Sequence, residues 1–167
     1  MSMDPHALLI PIHAIAASLV ILLAPVNILR RRKDRAHKAL GRTWVIAMYL
    51  VCVSGMFIYT IGGFTVFHAL AIFTFATTTL GVIAIRRGNV RSHIGNMVGS
   101  WLGALAAGAF AAFVPGRFIP TLAVSDPVVL WSAVAAIVIA ATAWVAFVLA
   151  RFGAPARRRM PRAALIR

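Results

Sequence analysis

Histidine is the residue type in this chain with the most chemistry to offer, and four of its five copies recur in register. His13 opens the run His13-Ala-Ile-Ala16, and His68 opens His68-Ala-Leu-Ala71. His37 closes Arg30-Arg31-x-x-x-Arg35-x-His37, and His93 closes Arg86-Arg87-x-x-x-Arg91-x-His93. His13 precedes His37 by 24 residues and His68 precedes His93 by 25. A duplicated segment explains imidazoles at such matched spacing. Imidazoles that face each other suit haem iron, which takes two axial ligands from opposite faces of a flat ring. The register therefore predicts an outer pair, His13 with His68, and an inner pair, His37 with His93, holding one or two b-type haems. Arg35, Arg42 and Arg91 lie beside the inner pair, where they are placed to bind the haem propionates. His6 has no mate.

Other chemistries find little support. Cys52 is the only cysteine, so there is no internal disulfide, no cysteine metal cluster and no Cys-x-x-Cys-His for covalent haem attachment. Asp4 and Asp126 read as helix caps, and no pair of carboxylates offers acid–base catalysis. No Ser/His/Asp set and no phosphate-binding glycine loop is evident. Each histidine also has a plainer reading. His13 and His68 inside an apolar slab could be neutral rings hydrogen-bonded to a neighbouring helix, although ionisable groups at that depth are usually functional. His37 and His93 sit among arginines, where a solvated histidine needs no explanation. Asn27 is assigned no function beyond bridging helices, and Trp44, Trp101, Trp131 and Trp144 read as packing residues or interfacial anchors.

The elements that must position these residues are membrane helices. The sequence is 62% hydrophobic and 12% charged, about half the charged share of an ordinary soluble domain. A crossing helix needs about 20 apolar residues. Five runs qualify: about Ala7–Leu29 with a kink at Pro25, Thr43–Ile61, Phe64–Ile85, Gly95–Val114, and Pro127–Ala150 behind an Asp126 N-cap. Gly62-Gly63 is expected to make a tight outer turn, and a short outer loop follows Pro115-Gly116. The net charge of +14 is not a nucleic-acid footprint, because sixteen of seventeen Lys and Arg fall in three segments between or after these runs. Those segments are Arg30–Arg42, Arg86–Arg91 and Arg151–Arg167; only Arg117 lies elsewhere. That is the positive-inside pattern, with the N-terminus outside, the C-terminus cytoplasmic and the basic faces against anionic lipid. No basic residue precedes the first run, so it is expected to be a retained helix rather than a cleaved leader.

The fold class expected is thus all-α, an integral membrane bundle of about five helices. One transmembrane domain covers residues 1–150, with repeat units at about 7–61 and 63–114 and an extra helix at about 127–150. A basic cytoplasmic tail covers 151–167. Two helices per unit preserve direction, so the units form a parallel repeat about an axis along the membrane normal. His13 lies about 9 Å below the start of its helix, with His68 at similar depth. The fourth helix carries Gly95, Gly99, Gly103, Ala107 and Ala111 at four-residue spacing, a small-residue stripe suited to close helix packing.

The stretches His37-Lys-Ala-Leu-Gly-Arg42 and Arg86-Arg87-Gly-Asn-Val-Arg-Ser-His93, with His13 upstream, resemble a bacterial membrane family known as domain of unknown function 2306. The resemblance covers roughly the first 115 residues and implies a membrane location. The pairing of helices one with three and two with four is also similar in layout to transmembrane di-haem cytochromes that act as ascorbate-dependent ferrireductases, whose ligands lie deeper in the helices than His37 and His93. The expected function is therefore electron transfer in the bacterial inner membrane, with quinone or another redox partner. The alternatives are a non-catalytic accessory subunit of a larger complex or homo-oligomer, a small transporter using His13 and His68 in proton relay, and an imidazole metal site at the inner surface.

Overall fold

The protein, seen in a computed structural model, is described over residues 5–58 and 63–153. Six helices follow in order: α1 Pro5–Leu29, α2 Arg35–Met56, α3 Val66–Arg86, α4 Val90–Phe113, α5 Phe118–Ser125 and α6 Pro127–Phe152. Five are long and apolar enough to cross a membrane. Large apolar side chains face outward: Ile46 on α2 and Ile139 on α6 are each 68% exposed, which suits contact with lipid. The expected outer loop after Pro115-Gly116 contains the short helix α5, which packs on α4 and α6. The Gly62 turn and the tail beyond Gly153 lie outside the described residues.

α1 pairs with α2 and α3 with α4; α2 then meets α3, and α1 meets α4. Among the described residues the backbones of α1 and α3, and of α2 and α4, do not approach each other. They stand across the bundle as diagonal pairs. α6 packs on α1 and α2. The ends holding the α1–α2 and α3–α4 turns share one side, termed here the basic end.

The middle of the bundle is filled. Val20, Leu23 and Ala24 of α1 and Trp44, Ala47, Met48 and Cys52 of α2 form one buried cluster, with Ala71, Met97, Trp101 and Ala104 packed against it from α3 and α4; Ala36 and Leu40 of α2 with Val148 of α6 form a second. Two indoles pin α1. Proline has no N–H, so Pro25 leaves the carbonyl of Ile21 without its helical donor. The Trp101 Nε1–H donates to that carbonyl at 3.3 Å, and Trp44 Nε1–H donates to Val20 O at 2.9 Å. Side chains from neighbouring helices thus satisfy backbone groups that lipid cannot. Between α3 and α4 the contact is polar: the Thr77 and Ser100 hydroxyls lie 2.9 Å apart, and Thr78 donates to Ser100 at 3.2 Å.

The small-residue stripe of α4 is only partly used. Leu70 and Thr74 approach Gly103, whereas nothing comes within 4 Å of a Cβ built on Gly95 or Gly99. Residues four apart on a helix turn about 400°, so each step rotates the stripe about 40° away from α3.

The basic-end turns are built differently. Residues 87–89 form a Schellman turn: Gly88, at φ +77°, bonds Ile85 O, and Asn89 N–H reaches Ala84 O at 2.9 Å. The Asn89 side chain then caps α4 by accepting Ser92 N–H at 3.0 Å. At the other turn Asp34 caps α2, accepting His37 N–H at 3.1 Å, and its second oxygen takes Arg30 at 2.6 Å.

These caps correct two expected boundaries. α2 begins at Arg35 rather than Thr43, and α4 at Val90 rather than Gly95. His37 and His93 therefore stand in the first turns of the helices they were expected to precede. Their basic neighbours lack the hydrophobicity of a span but keep ordinary helix propensity, and Asp34 and Asn89 supply the start. Asp126 caps α6 as expected, accepting Val129 N–H at 3.0 Å with Pro127 next to it.

Candidate functional site

His13, on α1, turns to the last turn of α2. Its Nδ1 lies 2.8 Å from Ser54 Oγ, and its ring edge lies 3.3 Å from where a Cβ on Gly55 would be. Ser54 has one hydroxyl hydrogen, already donated back to Leu50 O of its own helix. His13 therefore donates from Nδ1, which places the lone pair on Nε2.

His68 is 3% exposed and has the opposite polarity. It stands at the third position of α3, and the Thr65 backbone N–H donates to its Nδ1 at 3.0 Å. A backbone N–H can only donate, so Nδ1 is the acceptor and the neutral ring carries its hydrogen on Nε2. The Thr65 hydroxyl lies 2.8 Å from the same nitrogen, and the Phe64 ring stacks at 5.4 Å. His68 is thus a capping residue in the manner of a capping box. In this arrangement it presents no lone pair for iron. The expected outer pair is engaged separately, His13 by α2 and His68 by its own N-terminal turn.

At the basic end the geometry differs. His93 Nδ1 lies 2.9 Å from the Gly81 carbonyl of α3, which can only accept. Its Nδ1–H is therefore the donor, and Nε2 carries the lone pair. A metal-binding imidazole is oriented through its second nitrogen in this way. Gly81 permits the approach, because a Cβ there would strike Met97 and come within 3.0 Å of Asn96 Cβ. His37, on the diagonal helix α2, lies within electrostatic reach of His93 and also of Lys33, Asp34 and Arg30. Its Nδ1 is buried without a hydrogen-bond partner. Asn27 Oδ1 on α1 is in the same condition. The Asn27 amide nitrogen sits 3.3 Å from a Cβ position on Gly41, one turn beyond His37 on the same face of α2.

Of the four paired histidines, then, the structure brings His37 and His93 into mutual range from helices whose backbones stay apart. Arg35, Arg42 and Arg91 are exposed at the same end of the bundle, and none of them is among the charges that reach His37. Lys33 is used locally, closing α1 by donating to Arg30 O at 2.8 Å. No cluster of three or more His, Cys, Asp or Glu suited to a metal ion exists among the described residues. Among the described residues two apolar grooves occur, one of about 290 Å³ between Ile12, Ile15, Leu19 and Ile46, and one of about 130 Å³ between Cys52, Ile72 and Phe75. Neither reaches a histidine.

Asp34, Gly41 and Gly81 were not singled out by their sequence. Asp34 had a signal, since an Asp three residues before His37 is an N-cap spacing. The glycines had none, because what they admit comes from other helices.

The chain matches no curated protein and no solved structure. A family profile described as "Predicted membrane protein (DUF2306)" matches residues 10–153. The match extends well past the expected limit near residue 115, so α5 and α6 are part of the family's unit and not an appendix. The protein is a multi-pass membrane protein and belongs to the DUF2306 family.

Proposed function

We propose that this protein is a membrane b-type cytochrome, an electron carrier with one haem held at the basic end between His37 of α2 and His93 of α4. The observation that carries this reading is His93 of α4 held through its Nδ1 by Gly81 O, with His37 of the diagonal helix α2 within electrostatic range. What suits the group there is two imidazoles on separate helices within electrostatic range of each other, with exposed arginines at the same end, Arg35, Arg42 and Arg91, to meet its carboxylates. The opposite end fits it poorly, because His68 offers Nε2–H and the bundle centre is filled by Trp44, Met48 and Trp101.

When bound, haem supplies one-electron chemistry. The chain's own residues hold and orient it. The Gly81 carbonyl would orient His93 through Nδ1 and leave its Nε2 for the iron, the exposed arginines would neutralise propionates, and the packed core keeps water from the middle of the bundle. The basic turns face the cytoplasm of a bacterial inner membrane, by the positive-inside rule, so the haem lies at the cytoplasmic surface and the N-terminus outside. The redox partner is quinone or another small electron carrier.

The test is a reduced-minus-oxidised absorption spectrum of the protein purified in detergent from haem-replete cells. The reading requires Soret and alpha bands, at about one haem per chain, with His68→Gln retaining them. A colourless protein ends it.

A second reading, an accessory subunit in a larger complex or homo-oligomer, is favoured by the open faces of Gly95 and Gly99. Small residues facing outward let another helix come close in lipid. It predicts that Gly99→Leu releases a stoichiometric partner during purification; an unchanged, partner-free preparation would rule it out.

A further inference from the structure

We infer that Arg117, held over the Phe67 and Phe110 rings, binds the phosphate of a phospholipid in the leaflet at the end opposite the basic turns. Arg117 is the one basic residue outside the three basic segments of the sequence. The fold carries it to the far end of the bundle. Gly116, at φ +78°, reverses the chain after the last turn of α4, and Arg117 becomes the N-cap of α5. Its guanidinium carbon then lies 4.9 Å from the centre of the Phe110 ring on α4 and 5.6 Å from that of Phe67 in the first turn of α3. The two rings are themselves 4.8 Å apart. Aromatic faces attract a cation and hold it in place, but they do not neutralise it.

The charge is thus positioned and still unmet. The Arg117 side chain forms no hydrogen bond or ion pair with any described residue. Asp126, the carboxylate described at this end, is spent on the Val129 N–H as the cap of α6. A guanidinium offers five N–H donors in a planar fork that matches a phosphate, and Arg117 is only half-buried, so a ligand can reach it. The surroundings favour a lipid as the source of that phosphate. Phe113 is 82% exposed, Phe118 is 50% exposed, and Val124 on α5 is 87% exposed. A free phosphate ion gains nothing from such apolar neighbours. A phospholipid sets its glycerol and acyl chains against them while its phosphate meets the cation. The site is also separate from the proposed haem, since Phe110 lies about 25 Å along α4 from His93.

The test uses the full chain in vesicles of phosphatidylethanolamine and phosphatidylglycerol, with a trace of lipid carrying a diazirine near its glycerol. Two such probes are compared: a phosphatidylglycerol, and a diacylglycerol with the same diazirine but no phosphate. Labelled peptides are mapped by mass spectrometry. One interfacial cation should favour the phosphate-bearing probe about fivefold within residues 113–118. Arg117→Gln should bring the two probes to parity there. Arg117→Lys keeps the charge and should keep most of the preference, which separates lost charge from lost fold. Phe110→Leu removes a ring from beneath the cation and should lower the preference. Equal labelling by both probes in wild type overturns the inference, as does a preference that survives Arg117→Gln, is lost equally in Arg117→Lys, or is untouched by Phe110→Leu. A preference abolished by excess inorganic phosphate would assign the site to the free ion instead, and labelling by neither probe would mean that another protein covers this face; either result overturns the lipid assignment.

Discussion

His68 and His93 both form hydrogen bonds through Nδ1, and the direction of those bonds assigns them different tasks. Thr65 N–H donates to His68, while His93 donates to Gly81 O. One ring therefore ends a helix and the other offers a lone pair. The sequence register made the two rings look equivalent, since spacing says nothing about which nitrogen a neighbour will occupy. It follows that His68→Gln leaves haem content unchanged and lowers stability by about 1 kcal/mol, as loss of an N-terminal cap does. On the proposed reading, His93→Ala should abolish haem binding. Haem content by absorbance and stability by denaturant titration separate the two outcomes; haem lost in both variants contradicts the assignment. Asp34 matters at the same scale, because it caps α2 beneath His37 and pairs with Arg30. The pair is partly exposed, so Asp34→Ala should remove about 1 kcal/mol, most of it from the cap.

The spans were legible element by element because long apolar runs bounded by arginines have few other structural outcomes. Their starts at the basic end were less legible. Arg35 to Arg42 reads as a basic loop by hydropathy, yet it is helix, because a polar first turn capped by Asp34 continues the run without a break. Helix α5 was hidden in an expected loop for a related reason: eight residues are too few to signal a span. A kink at Pro25 is expected from the sequence, but the group that takes the freed Ile21 carbonyl, the Trp101 indole, comes from another helix and has no local signal. That pairing makes a prediction through coupling. Trp101→Phe strands the Ile21 carbonyl and should cost about 1–3 kcal/mol. In a Pro25→Ala background the backbone N–H returns, and the same substitution should cost about 1 kcal/mol less. Additive losses in thermal unfolding would show that the indole bond is incidental. In the α3–α4 turn, Gly88→Ala forces a side chain into the left-handed region at φ +77°, with an expected loss of about 1–2 kcal/mol.

Across the whole molecule, the two hairpins pack into a four-helix arrangement with α6 against one side, and the family match spans all of it. Lipid-facing apolar surface and buried backbone partners account for the bundle without any soluble core. The expected orientation can be read with impermeant thiol reagents, since Cys52 is buried and a Cys52→Ser background is free of other thiols. Val124→Cys, at the end opposite the basic turns and 87% exposed, should label in intact cells. Arg87→Cys should label only after permeabilisation. The reverse pattern would put the basic turns outside and move the proposed haem to the other surface.

Electron paramagnetic resonance of the oxidised protein addresses the iron and its ligands together. Two imidazoles from His37 and His93 predict a low-spin ferric signal in wild type, kept in His13→Ala and His68→Gln, and replaced by a high-spin signal or none in His37→Ala and His93→Ala. A wild-type protein with no ferric haem signal, or a low-spin signal that survives loss of either basic-end histidine, would contradict the account.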